Sequence, residues 1–319
     1  LFRPDQDTGR VPQLTVKDVV ALYRRHCAAE GVHGPAAKAD REYTFGLFVA
    51  ACGGVVVADL KPFHLTDFVE AHPEWRSIST RRAKANGIRA AFNWAFRQER
   101  IARNPFVNVQ YAEHERRAEM PDDALAQLER VSSKQFEAVL RFLRLTGCRT
   151  GELCQATWGD MDLERGIWTI ERHKSRRFTG RPKVVALVTE AVAVLRAILG
   201  ALAATDQTDS LAPVVPSLGM IAPTNFIFRN TRGGPWRPGV LSYQLRRLKK
   251  RHGIDVKASL HGVRHRALSA MIEAGAPIKL VAEQAGHSTT AVTERFYWHR
   301  SEGAIDAMRA AAELGVPKK

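Results

Sequence analysis

Residues 261–299 hold three short runs with chemical potential: His261-Gly262-Val263-Arg264-His265, Ala285-Gly286-His287-Ser288 and Arg295-Phe296-Tyr297-Trp298-His299. A phenol such as Tyr297 becomes a nucleophile once deprotonated. Its ordinary pKa near about 10 means that a base or nearby cations must help. An arginine such as Arg264 grips two oxygens of one phosphate and stays charged. The histidines His261 and His287 move protons or donate hydrogen bonds near neutral pH. Breaking a phosphodiester with a tyrosine nucleophile needs these parts, plus a second cation and a proton donor for the leaving oxygen. Upstream, Thr146-Gly147-Cys148-Arg149-Thr150-Gly151-Glu152-Leu153 offers the cation, and His173-Lys174-Ser175 offers the donor.

In this order, T-G-x-R-x-G-E-L, a hairpin lysine, H-x-x-R-H, G-H-S and Y-x-H resemble the tyrosine recombinase (phage integrase) family. The motifs span residues 146–299, with 33 positions from Arg264 to Tyr297. The N-terminal third matches only loosely. The resemblance implies that Tyr297 is the nucleophile and that Arg149 and Arg264 clamp the phosphate. It gives His261 to base and acid assistance and His287 to a phosphate hydrogen bond, with their roles open to sharing. Glu152 then orients its neighbours, and His265 and His299 support the site from behind. Lys174 matches the family's general acid; Lys183, in the same hairpin, is its rival. Two positions depart from the family pattern: Gly262 stands where an acid is usual, and Ala285-Gly286-His287 replaces Leu-Gly-His.

The elements that position these groups are legible from periodicity. Phe136, Val139, Leu140 and Leu143 fall at helical spacing and predict a helix over Ser133–Leu145, closed by Gly147 so that Arg149 lies in a turn. Thr150 or Gly151 opens another helix. Ile167–Ile170 and Val184–Leu187 predict two short strands. They flank Arg172–Lys183, a hairpin with six Lys+Arg and no acid. Arg172 and Arg176 are its candidate DNA contacts. A second basic window runs from Trp236 to Arg266. Helices are predicted over His265–Ala274, Ile278–Ala285 and from Thr290 through Tyr297. Ile305, Met308, Ala312 and Leu314 give the tail an apolar helical face.

Nearer the N-terminus, helices are predicted over Val16–Glu30, Ala36–Ala51, Leu65–Glu70 and from Ser79 or Thr80 to Gln98. In the last of these, Arg81, Arg82, Lys84 and Arg89 form a basic face suited to a DNA backbone. The predicted layout is a helical core-binding domain at 12–108, a polar linker at 109–130, a catalytic domain at 131–300 and a tail helix at 301–319. The fold class is mainly α with a small β-sheet, and the resemblance implies a C-shaped DNA clamp.

Bulk properties agree with a nucleic-acid partner. The 319 residues carry a formal net charge of +15, of which +5 lies in residues 1–110 and +10 in the remainder, so both parts could face the same polyanion. Cys27, Cys52, Cys148 and Cys154 have neither C-x-x-C nor zinc spacing and read as reduced thiols of a cytosolic protein. The apolar stretch Val184–Ala204 is broken by Thr189, Glu190 and Arg196, so it is no membrane span. No Walker loop, nucleotide fingerprint or metal motif is present, so no cofactor is expected. The sequence begins at Leu1 rather than Met, as expected of a fragment or trimmed form.

These readings converge on site-specific recombination of double-stranded DNA through a 3′-phosphotyrosyl link. The resemblance implies a homotetramer on DNA, with accessory DNA-bending proteins as further partners. A cytoplasmic, nucleoid-associated location and a mobile-element origin follow from the same expectation. The rival readings are a type IB topoisomerase-like relaxing enzyme, a catalytically silent DNA-binding protein and a basic RNA-binding protein.

Overall fold

Apolar residues at helical spacing gather, among the described residues of the computed structural model, into two large cores and a small cluster of Leu268, Val281 and Ala285. The structure describes residues 13–31, 35–111, 118–173, 176, 180–206, 222 and 224–297, without the side chains of 35–36, 203–206 and 295–297. The chain divides into two units, Leu1–Glu115 and Arg116–Lys319.

The first unit is helical. Helix α1 (Val16–Ala29) opens on Thr15, whose hydroxyl accepts from the Asp18 N–H while the Asp18 carboxylate accepts from the Thr15 N–H. Such a reciprocal cap contributes about 1 kcal/mol. Helices α2 (Pro35–Cys52) and α1 both pack on α4 (Ile78–Arg97), and α3 (Pro62–Glu70) closes one side. Helix α3 begins three residues ahead of the predicted Leu65, because Pro62 is preorganised for a first helical turn. The core joins Val16, Val19 and Val20 to Phe45, Phe48, Ile88 and Phe92.

The second unit is built round α6 (Lys134–Thr146), which buries Phe136, Val139, Leu140, Phe142 and Leu143. It lies between α8 (Thr189–Asp206) and α10 (Leu260–Glu273). Helices α5 (Asp122–Val131), α7 (Thr150–Leu153) and α9 (Pro238–Arg251) complete this body, with α11 (Ile278–Ala285) and α12 (Thr290–Tyr297) beside α10. Strands β1 (Met161–Asp162), β2 (Ile167–Ile170) and β3 (Lys183–Ala186) form an antiparallel sheet in that order, with Ile170 opposite Lys183 and Ile167 opposite Ala186.

Two further sequence expectations change here. The stretch read as linker carries α5, whose Leu125 and Leu128 are in the second core. Helix α10 starts at Leu260, five residues before the predicted His265, so His261 and Arg264 are both helical. Gly262 permits this start: a Cβ there would meet the Ala118 carbonyl oxygen at 2.6 Å. The chain passes so close that the Met120 N–H donates to the Gly262 oxygen at 3.2 Å. Helix α9 fills the second basic window, burying Leu241, Leu245 and Leu248 beneath its charged residues.

Candidate active site

Two helices end in left-handed glycines, and their last carbonyls gather the arginines. Helix α6 closes on Gly147 and α11 closes on Gly286, with φ of 62° and 67°. Free carbonyls at a helix C-terminus carry partial negative charge and attract cations. Arg264, only 3% exposed, donates from Nη1 to the Gly147 oxygen at 2.7 Å and from Nη2 to the Ala285 oxygen at 2.9 Å. Arg149 donates from Nη2 to the Gly286 oxygen at 3.0 Å. Both guanidiniums therefore converge on the Ala285-Gly286-His287 turn.

Glu152 fixes Arg149 from the other side. Its Oε1 accepts from Arg149 Nη1 at 2.8 Å, and its Oε2 accepts from the Arg149 backbone N–H at 2.9 Å. The same Oε2 accepts from Lys183 Nζ at 2.7 Å. Burial by itself would raise the Glu152 carboxyl, but Lys183 and Arg149 outweigh it and hold it below its ordinary value. For Lys183, burial pulls the ammonium below its ordinary value, against the opposing attraction of Glu152.

His287 follows the α11 glycine. Its backbone N–H donates to the Ala282 oxygen at 2.9 Å, the long bond that closes such a helix end. Its ring Nε2 is 3.3 Å from Arg264 Nη2, and its Nδ1 is 2.8 Å from Thr293 Oγ1. A guanidinium only donates, so Nε2 accepts, and Nδ1 carries the proton toward threonine. Burial, reinforced by the charges of Arg264, Arg149 and Lys183, lowers the His287 pKa to about 4.

Thr293 is fully buried on α12, one turn before Tyr297. Tyr297 ends that helix; its side chain lies outside the described residues, as do Lys174 and His299. Helix α12 packs on α10 and α11, and its Thr293 joins it to His287 beside the arginine cradle. His261 is exposed in the first turn of α10, three positions before Arg264. His265 points elsewhere: its Nδ1 is 2.6 Å from Glu119 Oε1, which also accepts from Ser269 Oγ at 2.7 Å. It pins the segment leading into α5 against α10.

The expected DNA contacts divide. Arg172 is exposed, whereas Arg176 is paired with Glu171 at 2.5 Å. On α4, Arg81 donates to the Trp75 oxygen at 2.9 Å, Arg89 donates to the Val107 oxygen at 3.3 Å and Arg82 is half-buried. Lys84 departs from the expectation. It is 7% exposed, bonded to Asp40 at 2.5 Å, and its ammonium lies over the rings of Tyr43 and Trp75. Its charge belongs to the first unit's interior rather than to a surface.

Sequence reasoning missed three positioning contacts. Thr293 carried no local mark beyond its place one turn before the tyrosine. Gln284 spans three elements: its amide donates to the Thr146 and Ala186 oxygens, both at 3.1 Å, and its oxygen accepts from the Ala186 N–H at 2.9 Å. Glu119 gave no signal, because its partners lie about 150 residues away in the chain. Burial pushes the Cys148 thiol up to about 11, so it stays protonated. Among the described residues no helix is long and apolar enough to cross a membrane, and no cluster of His, Cys, Asp and Glu is suited to a metal ion.

The family model described as Phage integrase family matches residues 118–303. Tyrosine recombinase XerC of Xanthomonas campestris pv. campestris is 26% identical over 266 residues, covering 79% of this chain and 74% of that protein. XerC of Bacillus licheniformis is 27% identical over 241 residues, covering 73% and 74%. Among solved structures, the Tn1549 transposon integrase bound to circular intermediate DNA superposes with a TM-score of 0.69 at 17% identity, covering 94% of this chain and 99% of that one. A lambda integrase tetramer bound to a Holliday junction gives 0.67 at 17% identity, covering 92% and 81%. The matched region takes in the arginine cradle, the Gly286-His287 turn and the helix ending at Tyr297, and on it the chain belongs to the phage integrase family of site-specific tyrosine recombinases.

Proposed function

We propose that Tyr297 attacks a DNA phosphodiester and forms a 3′-phosphotyrosyl bond. Its phenolic proton passes to His261, and Lys174 gives a proton to the departing 5′ oxygen. Arg149 and Arg264 hold the nonbridging oxygens, where negative charge grows in the pentacoordinate transition state. Donors already in place there cost no reorganisation during reaction. With phosphate bound, His287 takes the other tautomer: the Thr293 hydroxyl donates to Nδ1, and the Nε2–H turns from Arg264 to donate to the phosphate, while Glu152 holds Arg149 in register. The new bond keeps the energy of the one broken, so attack by a 5′ hydroxyl from the partner strand reseals DNA without ATP. The observation that carries this reading is the convergence of Arg149, Arg264 and His287 on one turn beside the helix that ends at Tyr297.

The helical first unit serves as the core-binding domain, with Arg81, Arg82 and Arg89 toward the DNA backbone and Arg172 and Arg176 contributing from the hairpin. Four copies act together on two DNA sites, as the lambda integrase tetramer on a Holliday junction suggests. Accessory DNA-bending proteins assist that assembly, and the protein works in the cytoplasm on nucleoid DNA. The test uses the full chain and a library of nicked duplexes with randomised sequence. Covalent adducts that survive denaturation are digested and their phosphotyrosyl peptide is sequenced. The expected peptide carries DNA on Tyr297, and Tyr297→Phe gives none; an adduct in that variant overturns the assignment.

A further inference from the structure

Lys183 is the cation at the site that the proposed reading leaves without a task. It opens strand β3 directly opposite Ile170, where the hairpin's ladder begins. Its ammonium donates to Glu152 Oε2, the oxygen that also accepts the Arg149 backbone N–H. One carboxylate therefore joins the hairpin strand to a phosphate-clamping arginine. The Lys183 side chain is 2% exposed. A Cβ on Gly286 would come within 2.8 Å of Lys183 Cδ and 3.0 Å of Arg149 Nη1, so the lysine stem and the arginine lie together under that turn.

The far end of β3 is held independently, by the amide of Gln284 on both backbone groups of Ala186. The strand is thus anchored to α7 at one end and to α11 at the other. A proton donor must reach the leaving oxygen of a DNA strand, and a side chain sealed beneath Gly286 and bound to Glu152 is poorly placed to do so. We infer that Lys183 is a positioning residue, which sets Arg149 through their shared carboxylate and locks the hairpin strand to the arginine cradle, and that it is not the proton donor. A buried charge of this kind is retained only with its partner, because removing either one strands the other in a low-dielectric interior. This inference rests on the recombinase reading above.

The experiment compares two suicide substrates made from a sequence recovered in the library selection. One has an ordinary bridging 5′ oxygen and the other a bridging 5′ sulfur, a leaving group that needs no proton. Full-length wild type, Lys183→Met, Lys183→Arg and Glu152→Gln are assayed for cleavage, for DNA binding and for thermal melting. Lys183→Met and Glu152→Gln are expected to bind DNA yet lose about a hundredfold or more in cleavage on both substrates, the scale of a broken buried charge pair. Lys183→Arg restores the ion pair and is expected to stay within about tenfold of wild type on both.

A proton donor would behave in the opposite way. An arginine does not give up its proton, so Lys183→Arg would fail with oxygen and recover with sulfur, and that result overturns the inference. Wild-type rates for Lys183→Met, or an inactive Lys183→Arg on both substrates, overturn it as well. If Lys183→Met does not fold, Lys183→Arg alone separates the two roles. Failure of wild type to form any Tyr297 adduct would count against the recombinase reading itself, and is recognised before any variant is compared.

Discussion

The ring Nδ1 of His287 lies 2.8 Å from Thr293 Oγ1, and this bond ties the arginine cradle to the helix that ends at Tyr297. The other ring nitrogen faces Arg264. One neutral histidine thus couples Arg264, the proposed phosphate clamp, to the helix that carries the proposed nucleophile. Tyr297 lies four helical steps beyond Thr293, a rise of about 6 Å. Small shifts of the histidine are therefore felt near the Tyr297 end of α12.

Removing the threonine hydroxyl should slow cleavage without unfolding the protein. Thr293→Val keeps the shape of the side chain but leaves the His287 N–H without this acceptor. An unsatisfied buried donor costs about 1–3 kcal/mol, which corresponds to about a 5- to 160-fold loss if the penalty falls on the transition state. Thr293→Ser should recover most of the rate. Single-turnover cleavage of the suicide substrate measures both. Equal rates for Thr293→Val and wild type would show that the bond has no part in placing the helix.

Acid should destabilise the free protein through His287. In the unfolded chain this histidine takes up a proton near its ordinary value of 6.5, while in the folded chain it does so only near about 4. Between those values the unfolded state binds more protons, so stability falls as pH drops from 6.5 toward 4 and this contribution levels off below. Above 6.5 both states are neutral at His287 and it adds no slope. Melting temperatures across pH 4–7 should decline less steeply for His287→Gln than for wild type. Parallel curves would mean that His287 is already charged in the fold.

Gly286→Ala should separate binding from chemistry. A left-handed alanine costs about 1–2 kcal/mol in the backbone. The added methyl would also press on Lys183 and on Arg149 Nη1 at 3.0 Å. The arginine has the free space of a partly exposed side chain and moves first. DNA binding by the full chain should persist, with cleavage reduced at least about tenfold, since misplacement near about 1 Å has effects of that order. Filter binding and adduct formation in the same samples provide the check.

Much of this was legible in the sequence, for identifiable reasons. The H-x-x-R spacing, the glycine closing α6 and the Gly-His turn are local patterns, and local patterns survive folding unchanged. Periodicity exposed the α6 core because that helix is buried along nearly its whole length. The start of α10 was placed five residues late; Gly262, in its first turn, answers to a chain crossing at residue 118, far away in sequence. Gln284 and Glu119 were invisible for the same reason. Lys84 was misread although its spacing was informative. It stands four residues before Ile88 and therefore on the buried stripe of α4, with Ala91, Phe92 and Ala95 beyond it.

That placement gives the last prediction, a contrast between neighbours on one helix. Arg82 is half-buried with its charge at the proposed DNA face, whereas Lys84 is enclosed by Asp40, Tyr43 and Trp75. Arg82→Glu should weaken DNA binding and flatten its dependence on salt, because fewer counterions are released on binding. Lys84→Ala should leave the salt slope unchanged and act on stability instead. The lost stem packing and cation–π contacts amount to about 1–2 kcal/mol, or roughly 4–16 °C in the melting of a unit this size. Binding isotherms at several salt concentrations, read beside melting curves, distinguish the two. A flattened salt slope in Lys84→Ala with unchanged melting would return that lysine to the DNA face.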